Sequence, residues 1–262
     1  MLFAGLIWLT AAVVAAAFAM KRWWFPPPIN TYAANFDSYF SLNIAVAGII
    51  FFLAQAALGW FIWRFRNQGR RVRHTEGNNR LEVVWTAVTL ALFLAASVPS
   101  AVLWSRVHLD LLSPTAMSVE LLGQQFAWNV RYPGPDGRYG RTSARFVNDA
   151  AGNPFGIDDG DPAGKDDVVS GALRIPAGKP VLLRLHSRDV IHSFFVRELR
   201  VKQDLVPGME IPLKIEADKP GEYEIACSEL CGLGHHQMRG LLIVMPPAQF
   251  DAWLRQQREA RQ

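Results

Sequence analysis

The sequence predicts a membrane-anchored all-β protein, with N-terminal transmembrane helices followed by a β-sandwich or barrel. Three observations carry that prediction. Residues 1–104 are dominated by long apolar runs at 1–20, 40–63 and 81–104, each near the ~20 residues that cross a bilayer as a helix. Tryptophans stand at the ends of those runs (Trp23, Trp24, Trp60, Trp63, Trp85, Trp104), where an amphipathic ring suits the headgroup layer. Residues 105–262 instead mix charges, Gly/Pro turns and short alternating segments, as a globular β domain does. The expected division is therefore a helical membrane region, 1–104, and an outer domain, 105–262.

The first run has two readings. Ala17-Phe18-Ala19 resembles a signal-peptide cleavage site, but no Lys or Arg precedes the apolar stretch, and the stretch is long for a signal-peptide core. The expectation is a retained helix, extra to the other two, with Lys21 and Arg22 on the outer side.

Charge fixes the orientation of the rest. Residues 1–104 carry eight Lys/Arg against three Asp/Glu, whereas residues 105–262 carry nineteen against twenty. The net +4 thus belongs to the membrane region, and nucleic-acid binding has no support. Arg64, Arg66, Arg70, Arg71, Arg73 and Arg80 crowd the loop between the second and third runs, which places that loop in the cytoplasm. The outer domain then faces away from the cytoplasm, on a multi-pass membrane protein.

In the outer domain, strands are expected at 118–122, 125–132, 168–175, 180–186, 193–198, 211–217, 221–226 and 240–244. The stretch 133–167 is dense in Gly, Pro and Asp and reads as a long excursion. Phe250, Trp253 and Leu254 recur at i, i+3 and i+4, the spacing of a short closing helix.

The chemistry concentrates in CSELCGLGHHQM, from Cys227 to Met238, which holds both cysteines of the chain. A disulfide closing so short a loop would be strained outside a helix. Covalent haem needs C-x-x-C-H, which this spacing is not. Thiolate, imidazole and thioether together suit copper, or zinc if the thioether is incidental. A single blue-copper ion leaves one thiolate over, and a tetrahedral zinc leaves Met238 idle. Two coppers bridged by both thiolates use every donor. His235 and His236 both qualify by spacing, and His192, in DVIHSFFV, is a further candidate on another strand.

C-S-E-L-C-G-x-x-H-x-x-M, preceded by D-V-I-H-S, resembles the binuclear copper A domain of cytochrome c oxidase subunit II, a haem–copper oxidase family. The resemblance runs from the second helix to Met245 and implies a cupredoxin-like β-sandwich. It implies as metal ligands His192, Cys227, the carbonyl of Glu229, Cys231, His235 and Met238, leaving His236 as a surface neighbour. The Glu229 side chain would meet a magnesium ion at the interface with subunit I. Leu81-Glu82-Val83-Val84-Trp85 is similar to the start of a family helix, where the glutamate lies at a proton pathway entrance; Glu82 at a helix start also suits the helix dipole. Lys202 and Asp204 in VKQDLVPGM match family positions, while Met209 departs from them.

In GQQFAWNVRY, Phe126 stands where the family begins an aromatic run with tryptophan, and Trp128 follows two residues on. The expectation is that Phe126 and Trp128 share a strand face and form the electron entry. Asp158, Asp159, Asp161, Asp166 and Asp167 are candidates for steering a basic donor. The function implied is the electron-input subunit of a respiratory oxidase. It would take electrons from a c-type cytochrome or a membrane-bound cytochrome complex. It would pass them to subunit I, beside subunit III, for oxygen reduction coupled to proton pumping, with haem held only by partner subunits. The copper ligands argue against the quinol-oxidizing form. A copper A subunit of a nitric oxide reductase and a membrane-anchored copper storage or assembly protein are the alternatives.

Overall fold

The structure, a computed structural model, describes residues 2–20, 25–66, 76–109 and 116–260. Lys21, Arg22, Trp23, Trp24, Arg70, Arg71 and Arg73, which bear on the orientation argument, lie outside the described residues.

The apolar runs form α1 (Leu2–Ala19), α2 (Thr31–Arg64) and α3 (Asn79–His108). All three are long and apolar enough to cross a membrane. Two of them exceed the runs that predicted them, because polar caps start them early. The Asn30 side chain accepts from Ala33 N at 2.7 Å, and the Asn78 side chain accepts from Arg80 N and Leu81 N at 3.1 and 3.2 Å. Glu82 falls in the first turn of α3, where its charge complements the helix dipole.

On α1, Ala4, Trp8 and Ala11 share a face, and both alanines are buried. Trp8 Nε1 donates to the Ala56 carbonyl of α2 at 3.3 Å. The ring sits where a Cβ on Gly59 would come within 2.3 Å of it. Close approach over a glycine is the usual way helices associate in lipid. The Tyr39 hydroxyl of α2 donates to the Ala96 carbonyl of α3, one turn before Pro99.

The second compact unit comprises residues 26–34 and 103–262. Its strands are β1 (Met117–Gln124), β2 (Ala127–Tyr132), β3 (Val168–Ser170), β4 (Leu173–Pro176), β5 (Val181–Ser187), β6 (His192–Val196), β7 (Val201–Leu205), β8 (Ile211–Ile215), β9 (Gly221–Cys227) and β10 (Arg239–Met245). They make two five-stranded sheets, ordered β3-β2-β1-β5-β8 and β4-β10-β9-β6-β7. The pairs β1–β5 and β4–β10 are parallel. One continuous core joins the inner faces of both sheets. On β5 the period of two is plain: Val181, Leu183 and Leu185 are buried, while the residues between them are partly exposed.

Three elements differ from the sequence reading. The stretch 168–175 is two strands in different sheets, because Ser170 folds back on itself: its hydroxyl accepts from Ala172 N and donates to Ala172 O. The unpredicted β7 is an edge strand whose middle, Lys202-Gln203-Asp204, is polar, so only its buried ends signal a sheet. The strand expected from Gln125 begins at Ala127, since Gln125 and Phe126 form the tight turn that pairs Gln124 with Ala127.

The segment before α2 also belongs to this unit. Ile29 enters the sandwich core, with its N–H on the Glu198 carbonyl and its carbonyl on Asp218 N. Arg200 and Lys219 donate to the carbonyls of Pro26 and Pro28. After β10, α4 (Pro247–Glu259) buries Phe250 and Leu254 and lays Trp253 against Tyr132, ring centres 5.2 Å apart.

Candidate metal centre

The sheet containing β6, β9 and β10 gathers the donors at one end. His192 is the first residue of β6, Cys227 the last of β9, and Met238 immediately precedes β10. Pairing of Phe194 with Cys227 brings β6 and β9 into register there. Backbone bonds from Cys227 N to Met238 O, 3.3 Å, and from Ser228 N to Ser193 O, 3.1 Å, tie the three segments together.

Both cysteines are free and buried, with sulfurs 3.8 Å apart. The Glu229 carbonyl lies 3.2 Å and His192 Nδ1 3.9 Å from Cys227 Sγ. On the other side, His235 Nδ1 lies 3.6 Å and Met238 Sδ 3.7 Å from Cys231 Sγ. The donor atoms of His192, Cys227 and Cys231 all fall within 4.8 Å of one another. This set offers two thiols that can bridge, one imidazole on each side, and a thioether and a carbonyl as weak ligands. It fits a pair of soft metal ions, and copper best.

The local fold separates the two adjacent histidines. Residues 235–237 form a single 3₁₀ turn, with Met238 N on the His235 carbonyl at 3.2 Å. In such a turn i and i+3 eclipse, so His235 and Met238 both face Cys231 while His236 is exposed. We expect His236→Ala to keep its metal and spectrum and His235→Ala to lose them. Metal analysis of the two purified variants checks this, and the reverse pattern contradicts the ligand set.

Asp189 belongs to the site, although its place in the D-V-I-H-S motif carries no role by itself. His192 Nε2 lies 2.8 Å from Asp189 Oδ1. An ionised carboxylate only accepts, so Nε2 carries the proton and Nδ1 is left as the free donor towards the cysteines. Burial would raise the Asp189 carboxyl, but hydrogen bonds from Gln125 N–H, His192 and Val190 N–H outweigh it and hold it below the usual carboxylate range. Burial also pushes the Cys231 thiol up to about 11, and Cys227 beside it adds to the rise. A thiol protonated at neutral pH would have to release its proton to bind a metal, so any metal uptake there should strengthen as pH increases.

Phe126 and Trp128 take different places. Phe126 occupies the β1–β2 turn rather than a strand, so the two do not alternate along one face. Its ring covers Gly232 and Gly234 of the metal loop; a Cβ at Gly234 would fall 2.4 Å from Phe126 Cδ2. Trp128 is buried beneath, 6.2 Å from the His192 ring and 6.5 Å from Phe194. Both therefore adjoin the site, one half-exposed and one inside.

The five candidate docking carboxylates do not form one exposed patch. Asp167 is fully buried: it accepts from Arg131 Nε and Gly140 N, each at 3.0 Å, and pairs with Arg131 Nη2 as well. Arg131 is itself buried and extends the network to Glu120 at 3.1 Å. Asp167 anchors the 133–167 excursion and is out of a partner's reach. Asp158 and Asp161 both pair with Arg141, and Asp161 caps the turn at 162–164. Asp166 is partly buried; Asp159 alone of the five is exposed. Glu229 projects its carboxylate outward, 3.9 Å from Lys202 Nζ, which donates to Asp204 at 2.7 Å.

The cytochrome c oxidase subunit II periplasmic domain model matches residues 117–245. An alternative cytochrome c oxidase subunit 2 from Bradyrhizobium diazoefficiens is 36% identical over 259 residues, spanning 97% of this chain and 91% of its own. A cytochrome c oxidase subunit 2 from Synechocystis is 29% identical over 275 residues, spanning 95% of this chain and 80% of its own. Among solved structures, the periplasmic domain of subunit II of a Bradyrhizobium japonicum cytochrome oxidase aligns with a TM-score of 0.42 at 22% identity, over 58% of this chain and 99% of that one.

Proposed function

The chain belongs to the cytochrome c oxidase subunit II family, and we propose that it is the electron-input subunit of its oxidase, with a binuclear copper centre at its outer-domain site. The observation that carries this reading is the convergence of two free, buried thiols, two imidazoles, a thioether and a carbonyl on one point. His192, Cys227, the Glu229 carbonyl, Cys231, His235 and Met238 would hold the metal. When bound, such a centre supplies reversible one-electron transfer.

The protein's own part is to hold its donors still. Three sit at strand ends of one sheet, and His192 is fixed by Asp189, so little rearranges when charge changes. Trp128 and Phe194 exclude water from the His192 side. Phe126 lies between solvent and the metal loop, which suits it as the contact for a c-type cytochrome. Glu229, with Lys202 and Asp204 beside it, presents an outward carboxylate fit for a magnesium ion shared with subunit I. Glu82 at the start of α3 would accept protons at the cytoplasmic face of the inner membrane, with the outer domain in the periplasm and subunits I and III as partners.

Rapid mixing of the intact oxidase with a reduced soluble c-type cytochrome tests the input role. We expect prompt oxidation of the cytochrome by the wild type. Phe126→Ala should slow transfer within the complex about tenfold or more while leaving the salt dependence of association unchanged. Equal transfer rates in wild type and variant would remove Phe126 from the route.

A further inference from the structure

Gln125 is an exposed residue of the β1–β2 turn, and its two polar ends reach the two halves of the metal site. Its backbone N–H donates to Asp189 Oδ2 at 2.8 Å, while Asp189 Oδ1 holds His192 Nε2. Its side-chain Nε2 donates to the Cys231 carbonyl at 2.6 Å. The His192 strand and the cysteine loop, distant in sequence, are thus joined through one residue. The fit is close: a Cβ at Gly232 would sit 2.8 Å from Gln125 Nε2, and Gly232 adopts φ +133°, a conformation that favours glycine.

We propose that Gln125 is a positioning residue of the metal centre, a clip that sets the Cys231 backbone relative to the Asp189–His192 pair. The inference rests on the metal-centre reading above. Gln125 touches no metal donor atom. It acts by fixing the carbonyl of one ligand residue and the carboxylate that orients another. Outer partners of this kind typically change metal affinity by ~10- to 100-fold when removed. Because Gln125 is at the surface, the low end of that range is expected.

Gln125→Met separates the bond from the packing, since it keeps the length and the backbone N–H but cannot donate to Cys231. The full chain, purified in detergent and loaded with copper, is mixed with excess copper chelator, and metal release is followed together with the electron paramagnetic resonance spectrum. We expect Gln125→Met to release metal about tenfold faster and to shift the copper hyperfine pattern, while the metal-free chain unfolds at the wild-type temperature. Unchanged release and spectrum overturn the proposal. So does an equal loss of stability in the metal-free chain, which would make Gln125 a general structural contact. A wild type lacking an electron shared between two coppers would instead sink the binuclear reading, and release of the metal it does hold would still decide the role of Gln125.

Discussion

Cys227→Ser or Cys231→Ser should destroy the binuclear centre, the largest functional effect expected of any single change. The two sulfurs face each other at 3.8 Å, with one imidazole beyond each. A hydroxyl in place of either thiol is a hard, weakly acidic donor that does not bridge soft metals. One thiolate alone cannot hold two ions, so the binuclear complement falls to a single weakly bound metal or none. Met238→Leu makes the contrast. It removes one thioether on the Cys231 side while leaving both thiols and both imidazoles, so metal stays bound and the reduction potential moves. Copper content and visible spectra of the purified variants check both. Wild-type copper in either serine variant would contradict the bridging role.

The largest stability effect is expected at Asp167. Asp167→Ala leaves the buried Arg131 guanidinium with Glu120 and the Gly140 carbonyl but without its closest counter-charge. Removing one partner of a buried ion pair costs ~3–5 kcal/mol. Chemical unfolding of the variant should show a loss of that order. Asp159→Ala, at an exposed position in the same excursion, should stay within ~0.5 kcal/mol. Comparable small losses at both positions would mean that the Arg131 network does not anchor the excursion.

These two aspartates show where the sequence could be read and where it could not. Spacing along the chain is visible in a sequence, so the three apolar runs, the Cys227/Cys231 pair and the strand alternation at Val181–Leu185 were all legible. Exposure of a carboxylate depends on which cation folds against it. Arg131 lies thirty-six residues before Asp167, and nothing local marks the two as partners. Asp189 lies within the D-V-I-H-S motif, yet its role depends on where the His192 ring turns, which is a matter of packing. The residues of the Gln125-Phe126 turn read as strand because they carry no Gly, Pro or Asn signal. Nothing in the sequence marks Ile29, because a single apolar residue in a proline-rich segment does not reveal that it fills a distant core. What remained hidden was long-range pairing; what was visible was local pattern.

Six donors, one at the start of β6, one at the end of β9 and four in the β9–β10 connection, are proposed to hold a binuclear copper centre that relays single electrons. Electron paramagnetic resonance of the intact purified oxidase, combined with metal analysis of this subunit, tests it most directly. Copper at both positions and an unpaired electron spread equally over two copper nuclei in the oxidised form are the expected result. A hyperfine pattern from one copper nucleus, or a silent spectrum with zinc at the site, would contradict it.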